Sequence, residues 1–198
     1  MVFKPSMEAV AIGSDAELML RVREGDEDSF ATLLIKHRNP VINFLYRMVQ
    51  NRAVAEELAQ DVFLRVYRAR QSYEPTAKFT TWLYRIATHL ALNSLRDRRH
   101  TRRDLPLDDQ SGEVVHEVRD PGPTMEDHLV EDSLGWEIRR AIESLPEKQR
   151  AAVILHKYQD MDYKEIAHSL DCSESAVKSL LFRAYETLRG RLGHLAQR

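Results

Sequence analysis

Apolar residues recur three and four positions apart through most of the chain, and this spacing predicts helices rather than strands. The first such stretch opens on Ser14 and Glu17, the spacing of a capping box, and stops at Gly25. Between them, Leu18 and Val22 supply one apolar side. A short helix is therefore predicted here, after an N-terminal tail of residues 1–13.

A second, longer helix is predicted after Asp26, which can cap it. Its apolar side consists of Phe30, Leu33, Leu34, His37, Val41, Phe44, Leu45 and Met48. Pro40 lies inside this pattern, lacks a backbone N–H and crowds the preceding turn, so a kink or a break is expected near residues 37–39. Because His37 lies on the apolar side, we expect a core histidine rather than a ligand.

Two further amphipathic stretches complete a first domain, which is expected to span residues 14–97. Residues 53–69 place these apolar residues on one side: Ala55, Leu58, Ala59, Val62 and Val66. Residues 80–96 do the same with Leu83, Ile86, Ala87 and Leu90. Four helices of this size are enough to enclose one core.

The periodicity lapses over residues 98–128, where large apolar residues are few, as is typical of a linker. It returns in a second domain, residues 129–192, with Leu134, Ile138, Ala141, Ile142 and Leu145. Pro146 then opens a helix whose apolar side is Ala151, Ile154, Leu155 and Tyr158. The expected fold class is all-α, with two small helical domains, a flexible acidic linker and a C-terminal tail of residues 193–198.

The second domain has the outline of a helix-turn-helix. Residues 163–170 predict a short helix, residues 171–173 a tight turn, and residues 174–191 a longer helix capped by Ser173. One side of the longer helix can pack through Ala176, Val177, Leu180, Leu181, Ala184 and Leu188. The other side carries Ser175, Lys178, Ser179, Phe182 and Glu186, with Arg183 at its margin.

That outer side combines hydroxyls, cations and one exposed phenylalanine. A helix in the major groove uses such groups for base edges, phosphates and thymine methyls, so the pattern favours DNA binding. The alternative is an ordinary solvated face with one stray aromatic residue.

Charge is unevenly distributed, although the formal net charge is only -2. Residues 82–103 contain six arginines and one acid, residues 104–137 contain eleven acids and one arginine, and residues 175–198 contain five basic residues and one acid. Two basic surfaces therefore flank an acidic connector, so the small net charge does not argue against nucleic-acid binding.

The first basic surface also holds aromatic residues. Arg85, His89 and Arg96 project from the side of the fourth helix opposite its apolar residues. Trp82 and Asn93 lie on the edge of that side, and Tyr73 and Phe79 lie just before the helix. Arginines can follow phosphates while rings stack on unpaired bases, a combination that suits strand-separated DNA. Phe79 and Trp82 can equally belong to the core of the bundle.

The third helix has one apolar residue on its polar side. Leu64 stands there among Glu57, Gln60, Asp61 and Arg68. A protein partner would explain it, and so would a plain solvated face, because isolated exposed leucines are common.

Composition excludes several classes of protein. No apolar run approaches the roughly 18 to 20 residues that cross a bilayer, and residues 1–13 lack a signal-peptide pattern, so we expect a cytoplasmic protein without membrane insertion. The single cysteine, Cys172, excludes an internal disulfide and, with only His168 near it, predicts no zinc site. Because no phosphate loop or nucleophile elbow occurs, no enzyme activity, cofactor or metal is expected.

Four motifs are notable for their order and spacing: AEELAQDVFLR at residues 55–65, FTTWLYRIA at residues 79–87, Ser144-Leu145-Pro146, and YKEIA at residues 163–167. Together they resemble the extracytoplasmic function group of sigma-70 family factors. The resemblance implies a factor that joins core RNA polymerase at the beta-prime clamp and the beta flap. Its first domain would melt the minus-10 element and its second would bind the minus-35 element.

The resemblance also implies roles for individual positions. The polymerase-docking residues are Glu57, Gln60, Asp61 and Leu64. The minus-10 residues are Tyr73 and Trp82 as melting-region aromatics, with Arg85, His89, Asn93 and Arg96. His89 stands where such factors often carry asparagine, which leaves the preferred base open.

For the minus-35 element the corresponding residues are Lys178, Ser179, Phe182 and Arg183, with Ser175 added from the helix face. An anti-sigma factor is a further expected partner. Two other interpretations remain open: a self-sufficient helix-turn-helix regulator, which would bind duplex DNA alone, and a scaffolding protein, which would not depend on DNA.

Overall fold

The computed structural model describes residues 14–103 and 131–197; the tail at residues 1–13 and most of the predicted linker lie outside these residues. The helices are α1 (Asp15–Arg23), α2 (Glu27–Val49), α3 (Arg52–Arg68), α4 (Phe79–Arg103), α5 (Glu131–Glu143), α6 (Glu147–Tyr158), α7 (Tyr163–Ser169) and α8 (Glu174–Leu192). Short 3-10 helices follow α3 at Ala69–Ser72 and α8 at Gly193–Gln197. No strand occurs in the described ranges, so the all-α prediction is confirmed.

The first helices begin where the sequence places their caps. The Ser14 hydroxyl accepts from the Glu17 N–H at 3.3 Å, and the Glu17 carboxylate accepts from the Ser14 N–H at 2.7 Å. Asp26 accepts from the N–H groups of Asp28 and Ser29 at 3.0 and 3.2 Å. Gly25 separates the two helices with φ +100°, a backbone conformation that glycine adopts without steric cost. These local bonds satisfy N–H groups that a helix start would otherwise leave unpaired.

A kink or a break was expected near residues 37–39, and the helix does not break there: α2 runs without interruption from Glu27 to Val49. A proline costs the helix one hydrogen bond, here to the carbonyl of Lys36. Both residues are exposed, so water can reach that carbonyl. On the opposite side, Leu33, Val41 and Phe44 are fully buried and anchor both halves of α2 in the core.

Two other elements differ from the sequence-based expectation. α4 continues to Arg103, so residues 98–103, assigned above to the linker, are helical. Tyr158 was placed on the apolar side of α6 but is 41% exposed, because its ring lies under the Arg47 guanidinium at 4.2 Å instead of entering the core.

The buried residues of the two helical domains form one continuous cluster. In the first domain its largest fully buried members are Met19, Leu33, Phe44, Leu45, Met48 and Leu83, and in the second they are Ile154, Leu155 and Ile166. Arg150 of α6 joins the two domains: its Nη1 donates to the Met48 carbonyl at 2.6 Å, and its Nη2 donates to the carbonyls of Glu143 and Leu145. Burial lowers the pKa of Arg150.

His37 makes the stability of the first domain sensitive to acid. Its ring is buried, and its Nε2 lies 3.0 Å from the Asp15 carboxylate. Burial lowers the pKa of His37 from its usual 6.5, and Asp15 only partly opposes this effect. As the pH falls through the usual value, the unfolded chain binds a proton that the folded chain does not, so the free energy of unfolding decreases until the folded pKa is passed.

We therefore expect a lower urea midpoint at about pH 5.5 than at about pH 7.5. His37→Gln, whose amide can still donate to Asp15, should reduce this difference. His100→Gln, at an exposed position of α4, should leave it unchanged. Equal pH dependence in wild type and His37→Gln would contradict the assignment.

Candidate nucleic-acid interface

The outer face of α8 is open to solvent. The helix begins at Ser173, whose hydroxyl accepts from the Ala176 N–H at 3.2 Å, and it packs inward through Val177, Leu181 and Ala184. The opposite side exposes Ser175, Lys178, Ser179, Phe182 and Arg183. Phe182 is 68% exposed, so the predicted outward direction of this ring is confirmed. No ion pair within the described ranges involves Lys178 or Arg183, and these cations are therefore available to an anion.

α7 and the turn after it set the position of α8. Asp162 and Glu165 form a capping box, with N–H to carboxylate distances of 2.8 and 3.0 Å. Asp171 follows in a left-handed conformation, φ +49°, and the Cys172 N–H donates to the Ala167 carbonyl at 3.0 Å. Cys172 is half-buried, and burial raises the pKa of its thiol, so this thiol is less reactive than a free one.

The basic face of α4 lies against the second domain. Arg85 Nη2 is 2.8 Å from one carboxylate oxygen of Asp171, and His89 Nε2 is 3.0 Å from the other. Just before α4, Lys78 Nζ is 3.0 Å from Glu165 Oε1, and the hydrogen bond and the charge of Glu165 raise the pKa of Lys78. Two of the residues predicted to read the minus-10 element thus pair with a carboxylate of the helix-turn-helix.

Further contacts between α4 and the second domain lie at the other end of α4 and on its buried side. Arg99 Nη2 lies 2.7 Å from Glu147 Oε1 at the start of α6. At the other end, Thr81 donates to Glu165 at 3.3 Å and accepts from the Ser169 hydroxyl at 3.4 Å through its carbonyl. Thr81 and Ser169 are both buried. Asn93 and Arg96 bond to each other and stay exposed, outside this set of contacts.

The aromatic residues before and within α4 are mostly buried. Tyr73 is 3% exposed and its ring centroid lies 5.0 Å from that of Trp82, which is half-buried. Phe79 is also buried, 6.0 Å from Trp82 and 5.4 Å from His37. Burial raises the pKa of Tyr73, and its hydroxyl has no hydrogen-bond partner among the described residues. The expectation that Tyr73 faces DNA is not met in this conformation, because Tyr73 supports Trp82 from the core side.

The polar face of α3 matches its prediction. Leu64 is 45% exposed, and Glu57, Gln60 and Asp61 around it are exposed as well. Ala55, Ala59, Val62 and Val66 are buried on the opposite side, whereas Leu58, expected among them, is only partly buried. The exposed face is available to another protein.

Several residues of the interface between the domains could not be identified from the sequence. The local sequence predicts a helix cap at Glu165 and a turn at Asp171, and each residue has that local role in the structure. Their second role, as partners of α4 cations, joins residues more than 80 positions apart. No local periodicity encodes such a pairing.

Neither a membrane span nor a metal site is found in residues 14–103 and 131–197. None of the helices there is long and apolar enough to cross a membrane. These ranges also hold no group of three or more histidine, cysteine, aspartate or glutamate residues placed to bind a metal ion.

Comparisons with known proteins match both domains. The family model Sigma-70 region 2 matches residues 33–101, and Sigma-70, region 4 matches residues 136–188. The ECF RNA polymerase sigma-E factor of Escherichia coli (strain K12) is 32% identical over 191 residues, which cover 93% of this chain and 97% of that protein.

Two solved structures share the fold. One is CnrH in complex with the cytosolic domain of CnrY, with a TM-score of 0.67 and 19% identity, covering 92% of this chain and 99% of that chain. The other is the sigma factor RpoE in complex with the anti-sigma factor NepR from Bartonella quintana, with a TM-score of 0.61 and 20% identity, covering 83% and 96% of the two chains.

The cap of α8 leads to a stability prediction. Ser173→Ala removes the oxygen that satisfies the Ala176 N–H, and loss of such a cap typically costs about 0.5–2 kcal/mol. Chemical denaturation followed by circular dichroism should show this decrease. Ser175→Ala, which removes a hydroxyl that caps nothing, is the matched control. If both variants unfold at the same denaturant concentration, the cap does not stabilise α8.

Proposed function

Because this chain belongs to the sigma-70 family of RNA polymerase sigma factors, in its extracytoplasmic function group, we propose that its three polar faces divide the steps of promoter use among them. The factor directs promoter-specific initiation of transcription, with core RNA polymerase and promoter DNA as its partners. The proposal assigns the outer face of α8 to the minus-35 element, the basic face of α4 to the minus-10 element, and the polar face of α3 to the polymerase clamp.

The exposed ring of Phe182 is the observation that best supports the assignment of α8. Phe182 is 68% exposed, so its ring would contribute hydrophobic free energy only in a complex that covers it. Beside it, Lys178 and Arg183 form no ion pair within the described ranges. In a major groove the ring can cover a thymine methyl while the cations meet phosphates. Ser175 and Ser179 add hydroxyls that can meet base edges or phosphates.

For the minus-10 element, the proposed surface consists of Trp82, Arg85, His89, Asn93 and Arg96. Arginines at both ends can follow the backbone of a displaced strand, and the half-buried Trp82 offers a ring for stacking. Tyr73 belongs to this set as a support beneath Trp82; direct contact with a base would require Tyr73 to be uncovered. His89, where relatives often carry asparagine, sets the base preference at its position.

On α3, Leu64 is proposed as the centre of the contact with the clamp. Glu57, Gln60 and Asp61 would form its polar rim, the usual anatomy of a protein interface. The beta flap is the proposed second contact on polymerase, made by the second domain.

The proposal gives the factor no catalytic step, since bond formation belongs to the polymerase, and places it in the cytoplasm with that enzyme. An anti-sigma factor is proposed as a further partner. Support comes from RpoE of Bartonella quintana, a sigma factor of the same fold that was solved in complex with the anti-sigma factor NepR.

Phe182→Ala should weaken promoter use by the reconstituted holoenzyme. Loss of one base contact typically costs about 1–3 kcal/mol, a decrease of roughly five- to 150-fold. Run-off transcription over a range of factor concentrations measures this, and it should occur only when core polymerase is present. The control is Ile35→Ala, which truncates another highly exposed apolar residue. Ile35 lies on α2 in the first domain, away from α8, so this variant should behave as wild type. Wild-type transcription by Phe182→Ala would remove this contact from the proposal.

Leu64→Glu should abolish capture of core polymerase by the factor while leaving its helicity intact. The substitution puts a charge at the centre of the proposed interface, where its desolvation would not be compensated. Size-exclusion chromatography with core polymerase, alongside circular dichroism, tests both parts. Ile35→Glu makes the same change at an exposed position outside the proposed interface and should still bind. Full binding by a folded Leu64→Glu variant would exclude α3 as the docking face.

A further inference from the structure

The half-buried ring of Trp82 rests on a stack of buried aromatic rings. The ring centroid of Tyr73 lies 5.0 Å from that of Trp82, and the ring centroid of Phe79 lies 6.0 Å from it. Phe79 precedes Trp82 by three residues in α4, so the two side chains lie on one side of the helix. The imidazole of His37 on α2 packs against Phe79, with 5.4 Å between the ring centroids. His37 is therefore the ring through which α2 reaches Trp82.

We propose that His37 is a positioning residue of the minus-10 surface, which holds the ring of Trp82 through Phe79 in the orientation that stacks on a base of the separated strand. His37 itself does not contact DNA, because its ring is buried. This inference rests on the proposed use of Trp82 and adds a residue of α2, a helix to which the proposed function assigns no contact with DNA. A stacking ring binds better when its orientation is fixed beforehand, since less conformational entropy is then lost on binding.

Asp15 of α1 orients the imidazole of His37. The Nε2 atom lies 3.0 Å from one oxygen of the Asp15 carboxylate, whose other oxygen accepts from Lys36 Nζ at 2.6 Å. An ionised carboxylate can only accept hydrogen bonds, so the imidazole carries a proton on Nε2 and donates it to Asp15. The hydrogen bond at the edge of the ring and the packing against Phe79 together restrict rotation of the imidazole.

The imidazole of His37 packs as a neutral aromatic ring. Burial lowers the pKa of His37, and the charge of Lys36 acts in the same direction, while Asp15 opposes both. At neutral pH the ring is therefore uncharged and packs against Phe79 without the cost of a buried cation. Tyr73, whose pKa is raised by burial and by the charge of Asp15, is neutral as well. All the rings around Trp82 are thus uncharged at neutral pH.

Loss of the His37 ring would reach Trp82 through Phe79. The rings of His37 and Phe79 meet at a tilt of 50°, and those of Phe79 and Trp82 at 57°, with separations typical of attractive aromatic pairs. Protein interiors are densely packed, so a missing ring leaves a space into which its neighbour can turn. Phe79 would then no longer hold Trp82 from its side, and Tyr73 would be the remaining ring that supports the indole.

Fluorescence of Trp82 in the full chain reports the position of its ring. Trp136→Phe leaves Trp82 as the only tryptophan, and in this background His37→Ala should raise the acrylamide quenching constant and shift the emission to longer wavelength. His37→Phe keeps an aromatic ring against Phe79 and should restore most of the original signal. Leu45→Ala is the control, because Leu45 is also fully buried on α2 but lies roughly 12 Å further along the helix. It should lower stability without moving Trp82.

Run-off transcription by the reconstituted holoenzyme tests whether the position of Trp82 is used. The template is a fragment that the wild-type holoenzyme selects from random-sequence DNA. Loss of one stacked base typically weakens binding roughly five- to 150-fold, and His37→Ala, which leaves the indole present but unsupported, should cost part of this, about three- to tenfold. In a Trp82→Ala background the same substitution should cost nothing further, since the ring that His37 positions is gone. A residue that acts on stability alone would give the same loss in both backgrounds.

Unaltered fluorescence in a folded His37→Ala variant would overturn the inference and leave the minus-10 assignment of Trp82 intact. Altered fluorescence with equal losses of transcription in both backgrounds would instead remove Trp82 from the minus-10 surface, and the inference with it. Circular dichroism checks folding. If His37→Ala does not fold, Asp15→Ala releases the imidazole without emptying the core. Its control is Asp28→Ala, because Asp28 is also an acid in the first turn of its helix.

Discussion

The arrangement of both domains depends on the guanidinium of Arg150, which is bound by backbone carbonyls. It donates to carbonyls at the C-terminal ends of α2 and α5, where helices leave acceptors unpaired and where their dipoles are negative. A partly buried cation is costly without such partners, and its bonds to these carbonyls bring the corner between α5 and α6 close to the end of α2. The bonds to the carbonyls of Glu143 and Leu145 lie within the second domain and stabilise the corner between α5 and α6. The bond to the Met48 carbonyl links that corner to the first domain.

Much of the fold could be predicted because its signals are local. Ser14, Asp26 and Ser173 each cap the helix that the sequence places after them, since a capping oxygen acts within three residues. The outward directions of Leu64 and Phe182 follow from helical geometry alone. Pro40 does not break α2, because the local penalty of one hydrogen bond competes with burial on both sides of it, and burial depends on helices that are distant in sequence.

The parts that escaped prediction are those in which one residue serves two distant partners. Asp171 has the backbone conformation of a turn and the carboxylate of an ion pair, and only the first is visible in the chain around it. Tyr73 was predicted to stack on DNA bases, but its ring is buried against Trp82. That position depends on how the segment before α4 packs on the core, which the sequence around Tyr73 does not indicate. Tyr158 fits the apolar period of α6 but lies under Arg47 of the other domain, a partner that periodicity cannot indicate.

Charge as well as apolar burial joins the two domains: beside the buried cluster and the Arg150 bond, Asp171 forms half-exposed and individually weak ion pairs with Arg85 and His89. Apolar side chains in place of these ion pairs would bury well against the second domain but would offer nothing to the phosphates of DNA. Carboxylates and phosphates are both anions, so Arg85 and His89 pair with Asp171 in this structure and could pair with DNA phosphates on the proposed minus-10 face. The positive charge of α4 therefore has an anionic partner within the chain and would have another in the proposed complex with DNA, so an arginine-rich face need not be left unneutralised in either case.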